Sequence, residues 1–134
     1  MSEAPKKGKT MAKRVLIADD EPNIVAALEY LLERNGYEVN VARNGDEALT
    51  LIEQHRPDLV LLDVMMPQRS GYDVCQRVRE REDWRHIKIV MLSAKGRDVE
   101  VNKGISLGAD EYITKPFSTR DLVAKINSLL GAAP

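Results

Sequence analysis

LVLLDVMMP, the stretch at residues 59–67, places four consecutive apolar side chains directly before the carboxylate of Asp63. A short apolar run without alternation is typical of a strand that is covered on both faces, as in a parallel sheet. An acid that ends such a buried strand is costly unless it is used or paired. The stretch therefore predicts a central strand of a parallel sheet with a functional carboxylate at its end.

Four further strands are predicted on either side of this one in the sequence. Residues 15–18 (VLIA) and 89–92 (IVML) are again continuous apolar runs. Residues 38–41 (EVNV) alternate between polar and apolar, which suits an edge strand, and residues 111–114 (EYIT) form a short fifth strand.

Helical patterns occupy the intervals between these strands. The first helix carries an apolar stripe and ends at Asn35-Gly36, and the fourth is predicted at residues 99–107. Residues that favour helix starts mark the other three: Asn44 with Glu47, Ser70 with Asp73, and Ser118 with Asp121. The alternation predicts a single α/β domain, a doubly wound (βα)₅ sheet with right-handed crossovers, which binds ligands at the carboxyl ends of its strands.

Composition is that of an ordinary soluble domain. The 134 residues suit one hydrophobic core, and 43% hydrophobic with 31% charged residues excludes a disordered chain. A net charge of −1 and short apolar runs favour neither nucleic acid nor membrane as a direct partner. One cysteine, Cys75, and no secretory signal indicate a cytoplasmic protein. We expect a flexible N-terminal tail at residues 1–12, the domain at 13–131 and a C-terminal tail at 132–134.

The predicted strand ends gather charged and hydroxyl side chains at one edge of the sheet. They are Asp19, Asp20 and Glu21 after the first strand, Asp63 after the third, Ser93 after the fourth and Lys115 after the fifth. Two carboxylates about 4 Å apart repel by about 4 kcal/mol at an effective dielectric near 20, so such a cluster needs a cation or a shared proton. Oxygen ligands without histidine or cysteine suit Mg²⁺.

These positions resemble, in order and strand placement, the receiver domain of two-component response regulators. The resemblance extends from Arg14 to Leu130 and includes the stretches LIADDE at 16–21, LDVMMP at 62–67 and YITKPF at 112–117. It implies a flavodoxin-like five-stranded sheet in the order 2-1-3-4-5. It also implies a signalling switch that catalyses only its own phosphorylation and dephosphorylation.

The resemblance assigns the chemistry to particular residues. Asp63 would be the nucleophile that takes a phosphoryl group from a kinase phosphohistidine and becomes an aspartyl phosphate. Asp19, Asp20, Asp63 and the backbone carbonyl of Met65 would hold Mg²⁺.

The same resemblance identifies the groups that respond to phosphorylation. Lys115 would pair with Asp63 or bind the phosphoryl oxygens, and Ser93 would donate its hydroxyl to them. Tyr112 would be an aromatic switch that turns inward, although a half-exposed strand tyrosine is an alternative. The Lys115–Pro116 peptide bond would be cis.

The implied partners are those of two-component signal transduction and phosphorelay. A sensor histidine kinase or phosphotransfer protein would donate the phosphoryl group, and an effector protein or output domain would receive the signal. A phosphorylation-promoted homodimer through the fourth helix, fifth strand and fifth helix is a further expectation, based on Lys103, Arg120 and Lys125. Whether the domain acts alone or belongs to a longer regulator stays open.

Other interpretations explain fewer of these residues. Asp19-Asp20 could simply cap the first helix ahead of Pro22, but this leaves Asp63 without a role. A haloacid-dehalogenase-type phosphatase needs a second Asp two residues after its nucleophile, where this chain has Met65. A flavodoxin would need a phosphate-binding loop after the first strand. A pseudo-receiver that only docks to partners remains an alternative, against which the complete set of acid, hydroxyl and lysine argues.

Overall fold

The computed structural model describes residues 12–94 and 98–131. The predicted tails lie outside these residues, apart from Ala12. The described chain contains five strands: β1 Arg14–Ala18, β2 Glu38–Ala42, β3 Leu59–Asp63, β4 Lys88–Ser93 and β5 Glu111–Thr114. All neighbouring strands pair in parallel, in the order β2-β1-β3-β4-β5. The predicted fold class and strand order are therefore confirmed.

Helices alternate with the strands along the chain. They are α1 Pro22–Arg34, α2 Gly45–His55, α3 Gly71–Glu80, α4 Asp98–Ser106 and α5 Thr119–Leu130. A short 3₁₀ helix at Glu82–Trp84, which the sequence patterns did not predict, lies between α3 and β4. Each parallel connection thus contains a helix, as an open α/β sheet requires.

The sheet separates two hydrophobic cores, because successive side chains of a strand point to opposite faces. Leu62 of β3 belongs to the core that α2 and α3 cover, together with Val74 and the buried Cys75. Leu61 belongs to the core that α1 and α5 cover, together with Leu28. All five residues of β3 are buried, which explains why the sequence of this strand does not alternate.

The predicted helix starts are confirmed, with one difference in detail. The hydroxyls of Ser70 and Ser118 each accept a hydrogen bond from the N–H three residues later. Asn44 likewise accepts from the N–H of Glu47 at 2.8 Å. The Glu47 carboxylate accepts from the N–H of Arg43 at 2.6 Å, whereas a complete capping box would engage the N–H of Asn44 itself.

Gly71 fixes the start of α3 against the end of β3. Its N–H donates to the Val64 carbonyl at 2.9 Å. A Cβ atom at this position would lie 2.3 Å from the carbonyl oxygen of Asp63 and 2.9 Å from Cα of Val64. Both obstacles are backbone atoms that cannot turn aside, so only glycine allows α3 to begin beside the candidate phosphoacceptor.

We expect Gly71→Ala to lower the free energy of unfolding by about 1–3 kcal/mol, because α3 must move away from β3 to admit the methyl group. Urea unfolding followed by circular dichroism measures this change. Ser128→Ala, at an exposed position of α5, is the control and should change stability by less than about 0.5 kcal/mol. A Gly71→Ala protein as stable as the control would contradict the close contact between α3 and β3.

Candidate functional site

The ends of β1 and β3 bring three carboxylates together. The two strands pair with Ala18 opposite Leu62, so that Asp19 and Asp63 follow at neighbouring positions. Asp19 is 0% exposed and Asp63 is 4% exposed, whereas Asp20 is exposed. One carboxylate oxygen from each of the three lies within 4.8 Å of the other two.

Both the main chain and the side chain of Asp19 form hydrogen bonds with backbone groups. Its N–H donates to the Ala42 carbonyl at 3.1 Å, and its Oδ1 accepts from the N–H of Glu21 at 2.9 Å. Glu21, and not the preceding acid pair, is the N-cap residue of α1, with Pro22 in the first turn. The acid pair is therefore not the N-cap of α1, although Asp19 accepts a hydrogen bond from the N–H of the N-cap residue.

Lys115 lies among these carboxylates and is 12% exposed. Its Nζ is 3.0 Å from Oδ2 of Asp19, 2.7 Å from Oε1 of Glu21 and 3.7 Å from Oδ1 of Asp63. The sequence suggested Asp63 as its carboxylate partner, but the two shorter contacts are to the acids after β1. The contact with Glu21 was not foreseen, although this acid stands directly beside the acid pair in the sequence.

Ser93 ends β4 next to the lysine. The residue is 3% exposed, and its carbonyl accepts from the N–H of Lys115 at 2.7 Å. The Lys115–Pro116 peptide bond is cis. Because β4 lies between β3 and β5, Ser93 and Lys115 reach the same edge of the sheet as Asp63.

Met65 and Asp63 contact each other through the backbone. The N–H of Met65 donates to Oδ1 of Asp63 at 3.3 Å, and the Met65 side chain is exposed by two thirds.

Tyr112 lies in the middle of β5, partly buried, on the face that α4 covers. A Cβ atom on Gly104 of α4 would lie 3.1 Å from its ring. A hydrogen bond joins its side chain to Tyr72 of α3, whose hydroxyl also donates to the Glu100 carbonyl of α4 at 3.4 Å. Tyr112 therefore contacts both helices that flank it on this face.

Burial raises the pKa of Asp63 to about 6, and the negative charges of Asp19 and Asp20 add to the effect. The nearby Lys115 and the Met65 N–H act in the opposite direction. Burial alone would lower the pKa of Lys115, but its hydrogen bonds to Glu21 and Asp19 raise it above the ordinary value. Within the described residues, the carboxylates at this edge of the sheet outnumber the ammonium of Lys115.

The profile of the response regulator receiver domain matches residues 15–127. The chain belongs to this family. The receiver is similar to the solved structures of several bacterial proteins. It is 36% identical to a protein of Chloroflexus aurantiacus described as a response regulator, with a TM-score of 0.85 over 90% of this chain and 98% of that one.

A second similar structure is the receiver domain of a signal transduction histidine kinase from Syntrophus aciditrophicus. It is 34% identical, with a TM-score of 0.83 over 90% of this receiver and 91% of that chain. A chemotaxis response regulator of Vibrio cholerae is 29% identical, with a TM-score of 0.83 over 88% of this receiver and 98% of that chain. The resemblance predicted from the strand-end residues is thus confirmed at the level of the family.

Among the described residues, none of the receiver's helices combines the length and the apolar character needed to cross a bilayer.

The raised pKa of Asp63 predicts a pH dependence of stability in metal-free buffer. The folded state holds the proton up to about pH 6, whereas the unfolded state releases it near the ordinary aspartate pKa of 3.8. The contribution of this group to stability is therefore complete below pH 4 and is lost as the pH rises to 6. At pH 7.5 we expect Asp63→Asn to be more stable than the wild type by about 1–3 kcal/mol, with a difference that shrinks toward pH 4.

Urea unfolding at several pH values in EDTA measures this difference. Glu33→Gln, which neutralises an exposed acid of α1, serves as the control and should follow the wild type at every pH. A constant offset between Asp63→Asn and the wild type from pH 4 to 7.5 would contradict the raised pKa.

Proposed function

We propose that this receiver accepts a phosphoryl group on Asp63 from a phosphohistidine of a sensor histidine kinase or phosphotransfer protein. The environment of the Asp63 carboxylate is the main support for this proposal. This carboxylate ends a buried strand, one of its oxygens lies within 4.8 Å of one oxygen each of Asp19 and Asp20, and Nζ of Lys115 lies 3.7 Å from its Oδ1. An acid so enclosed has little structural value of its own, because its burial opposes its ionised form.

The transfer exchanges one bond to phosphorus for another. An Oδ atom of the ionised Asp63 attacks the phosphorus of the phosphohistidine, and the P–N bond breaks. The electron pair of the P–N bond stays on the imidazole nitrogen. After proton exchange with solvent, the histidine side chain is a neutral imidazole. A pKa of about 6 leaves most of Asp63 ionised at neutral pH, so the carboxylate is available as a nucleophile.

The carboxylates also fit a magnesium ion, since they supply only oxygen atoms at short mutual distances. Asp19, Asp20 and Asp63 would hold it with their side chains, together with the backbone carbonyl of Met65. When bound, Mg²⁺ supplies positive charge that offsets the carboxylates and the phosphoryl oxygens. The negative charges of Asp19 and Asp20, which add to the effect of burial on the pKa of Asp63, support this assignment, because a bound cation would offset them.

The remaining strand-end groups would stabilise the product and transmit the change. Lys115 would contribute its ammonium, and Ser93 its hydroxyl, to the phosphoryl oxygens. Phosphorylation adds about −1.5 to −2 charge. Tyr112 is the proposed switch residue. Its ring leaves no free space for a side chain at Gly104 of α4, and its partner Tyr72 donates to the Glu100 carbonyl of the same helix, so movement of Tyr112 would displace α4. The surface of α4, β5 and α5 would then control an effector or dimerisation.

Incubation with acetyl phosphate and Mg²⁺, followed by intact-mass measurement, tests this function. We expect one added phosphoryl group, which is absent when EDTA replaces Mg²⁺ and absent in Asp63→Asn. Lys115→Ala should lower the extent of modification at least about tenfold, because an interaction of the transferring group is lost. Lys125→Ala, which removes an exposed lysine paired with Glu111, should match the wild type.

A folded wild-type protein that stays unmodified with Mg²⁺ would contradict the proposal and favour a pseudo-receiver that only docks. A second probe avoids dependence on the phosphoryl donor. The receiver domain of DrrB, 30% identical to this chain, has been solved in a BeF₃-activated form. Beryllofluoride binding that requires both Mg²⁺ and Asp63 would support the same site.

A further inference from the structure

Three carboxylates surround the ammonium of Lys115, and they differ sharply in burial. Asp19 and Asp63 have side chains exposed by 0% and 6%, whereas the side chain of Glu21 is exposed by 58%. Nevertheless Glu21 makes the shortest contact, at 2.7 Å. The contact to Asp63, at 3.7 Å, is too long for a hydrogen bond.

Glu21 has no capping function that would explain the direction of its side chain. It occupies the N-cap position of α1, but its side chain makes no capping hydrogen bond there. Glutamate is not among the residues that cap a helix well from this position. Its carboxylate extends instead to the lysine that follows β5, across 94 residues of sequence.

We propose that Glu21 is a positioning residue that holds the ammonium of Lys115 away from Asp63 and releases it when Asp63 carries a phosphoryl group. This inference rests on the function proposed above and adds a control on it. The ion pair between Glu21 and Lys115 belongs to the unmodified state, so it opposes phosphorylation to the extent that it must be broken.

The difference in burial between Asp19 and Glu21 determines which of their ion pairs with Lys115 breaks when Asp63 is phosphorylated. Removing the partner of a buried carboxylate is strongly destabilising, so the contact between Lys115 and Asp19 is retained. An exposed carboxylate regains water when its partner leaves, and an exposed ion pair is worth little. Glu21 is therefore the contact that Lys115 exchanges for a phosphoryl oxygen, while Asp19 keeps the ammonium within the site.

Binding of beryllofluoride to the full chain in Mg²⁺, measured by calorimetry, tests this inference. Glu21→Gln should bind the probe about two- to fivefold more tightly than the wild type, which is the range expected for loss of one exposed ion pair. Glu21→Gln also removes a negative charge near an anion site, and this alone would raise the affinity for beryllofluoride even if Glu21 did not position Lys115. A second variant separates the two causes.

Glu21→Asp keeps the charge but shortens the side chain by one methylene, about 1.5 Å, which takes the carboxylate out of hydrogen-bond reach of Lys115. Positioning predicts that Glu21→Asp binds beryllofluoride as tightly as Glu21→Gln. Affinity equal to that of the wild type in Glu21→Asp would overturn the inference and leave only a general charge effect. Glu33→Gln makes the same charge change as Glu21→Gln at an exposed position of α1, and it should bind beryllofluoride as tightly as the wild type does.

The failure of this inference is distinct from that of the proposed function. If the wild type does not bind beryllofluoride in Mg²⁺, the proposed function fails and the inference fails with it. If the wild type binds and both Glu21 variants match it, the function stands and the role of Glu21 is excluded. Unfolding curves of both variants verify that each is folded under the conditions of the titration.

Discussion

Two carboxylates buried at neighbouring strand ends repel each other, and the arrangement of the site depends on that repulsion. Asp19 and Asp63 are almost completely enclosed, so water screens their interaction poorly. Lys115 reaches both of them but lies closer to Asp19. Burial is the main cause of the raised pKa of Asp63, and the negative charges of Asp19 and Asp20 add to it, whereas the ammonium of Lys115 acts in the opposite direction. The proposed magnesium ion would relieve the repulsion among these carboxylates and would offset the charge of an incoming phosphoryl group.

The fold keeps the carboxylates in place despite this repulsion. Asp19 directly follows β1 and Asp63 is the last residue of the adjacent β3, and the backbone pairing of the two strands fixes the separation of these residues. Gly71 lets α3 begin against the backbone of Asp63, which limits any retreat of β3 on that side. Since the carboxylates cannot separate, relief comes from Lys115, from a proton or from a bound cation. The chemistry proposed for the site is therefore a result of packing as much as of residue type.

Much of the fold and part of the site could be predicted from the sequence. Continuous apolar runs predicted the buried strands, and the alternating run at residues 38–41 predicted the edge strand β2. Both predictions were possible because a strand buried on two faces is apolar throughout, whereas a strand buried on one face alternates. Parallel topology then placed the residues after each strand at one edge. The partners of Lys115 were not predictable in this way, since three acids lie within reach and the choice depends on differences of about 1 Å. The reach of Glu47 to Arg43 and the 3₁₀ helix before β4 were missed for the same reason, because local geometry decides them.

The effect of Mg²⁺ on the free energy of unfolding is the most direct test of the central claim, which is that the carboxylates of Asp19, Asp20 and Asp63 bind a cation. Urea unfolding of the wild type should show stability that rises with Mg²⁺, by about 2.7 kcal/mol at one hundred times the dissociation constant. The same titration of Asp63→Asn should show little or no rise, because one of the three carboxylates is gone. Equal responses of the two proteins, or no response of the wild type, would contradict the account.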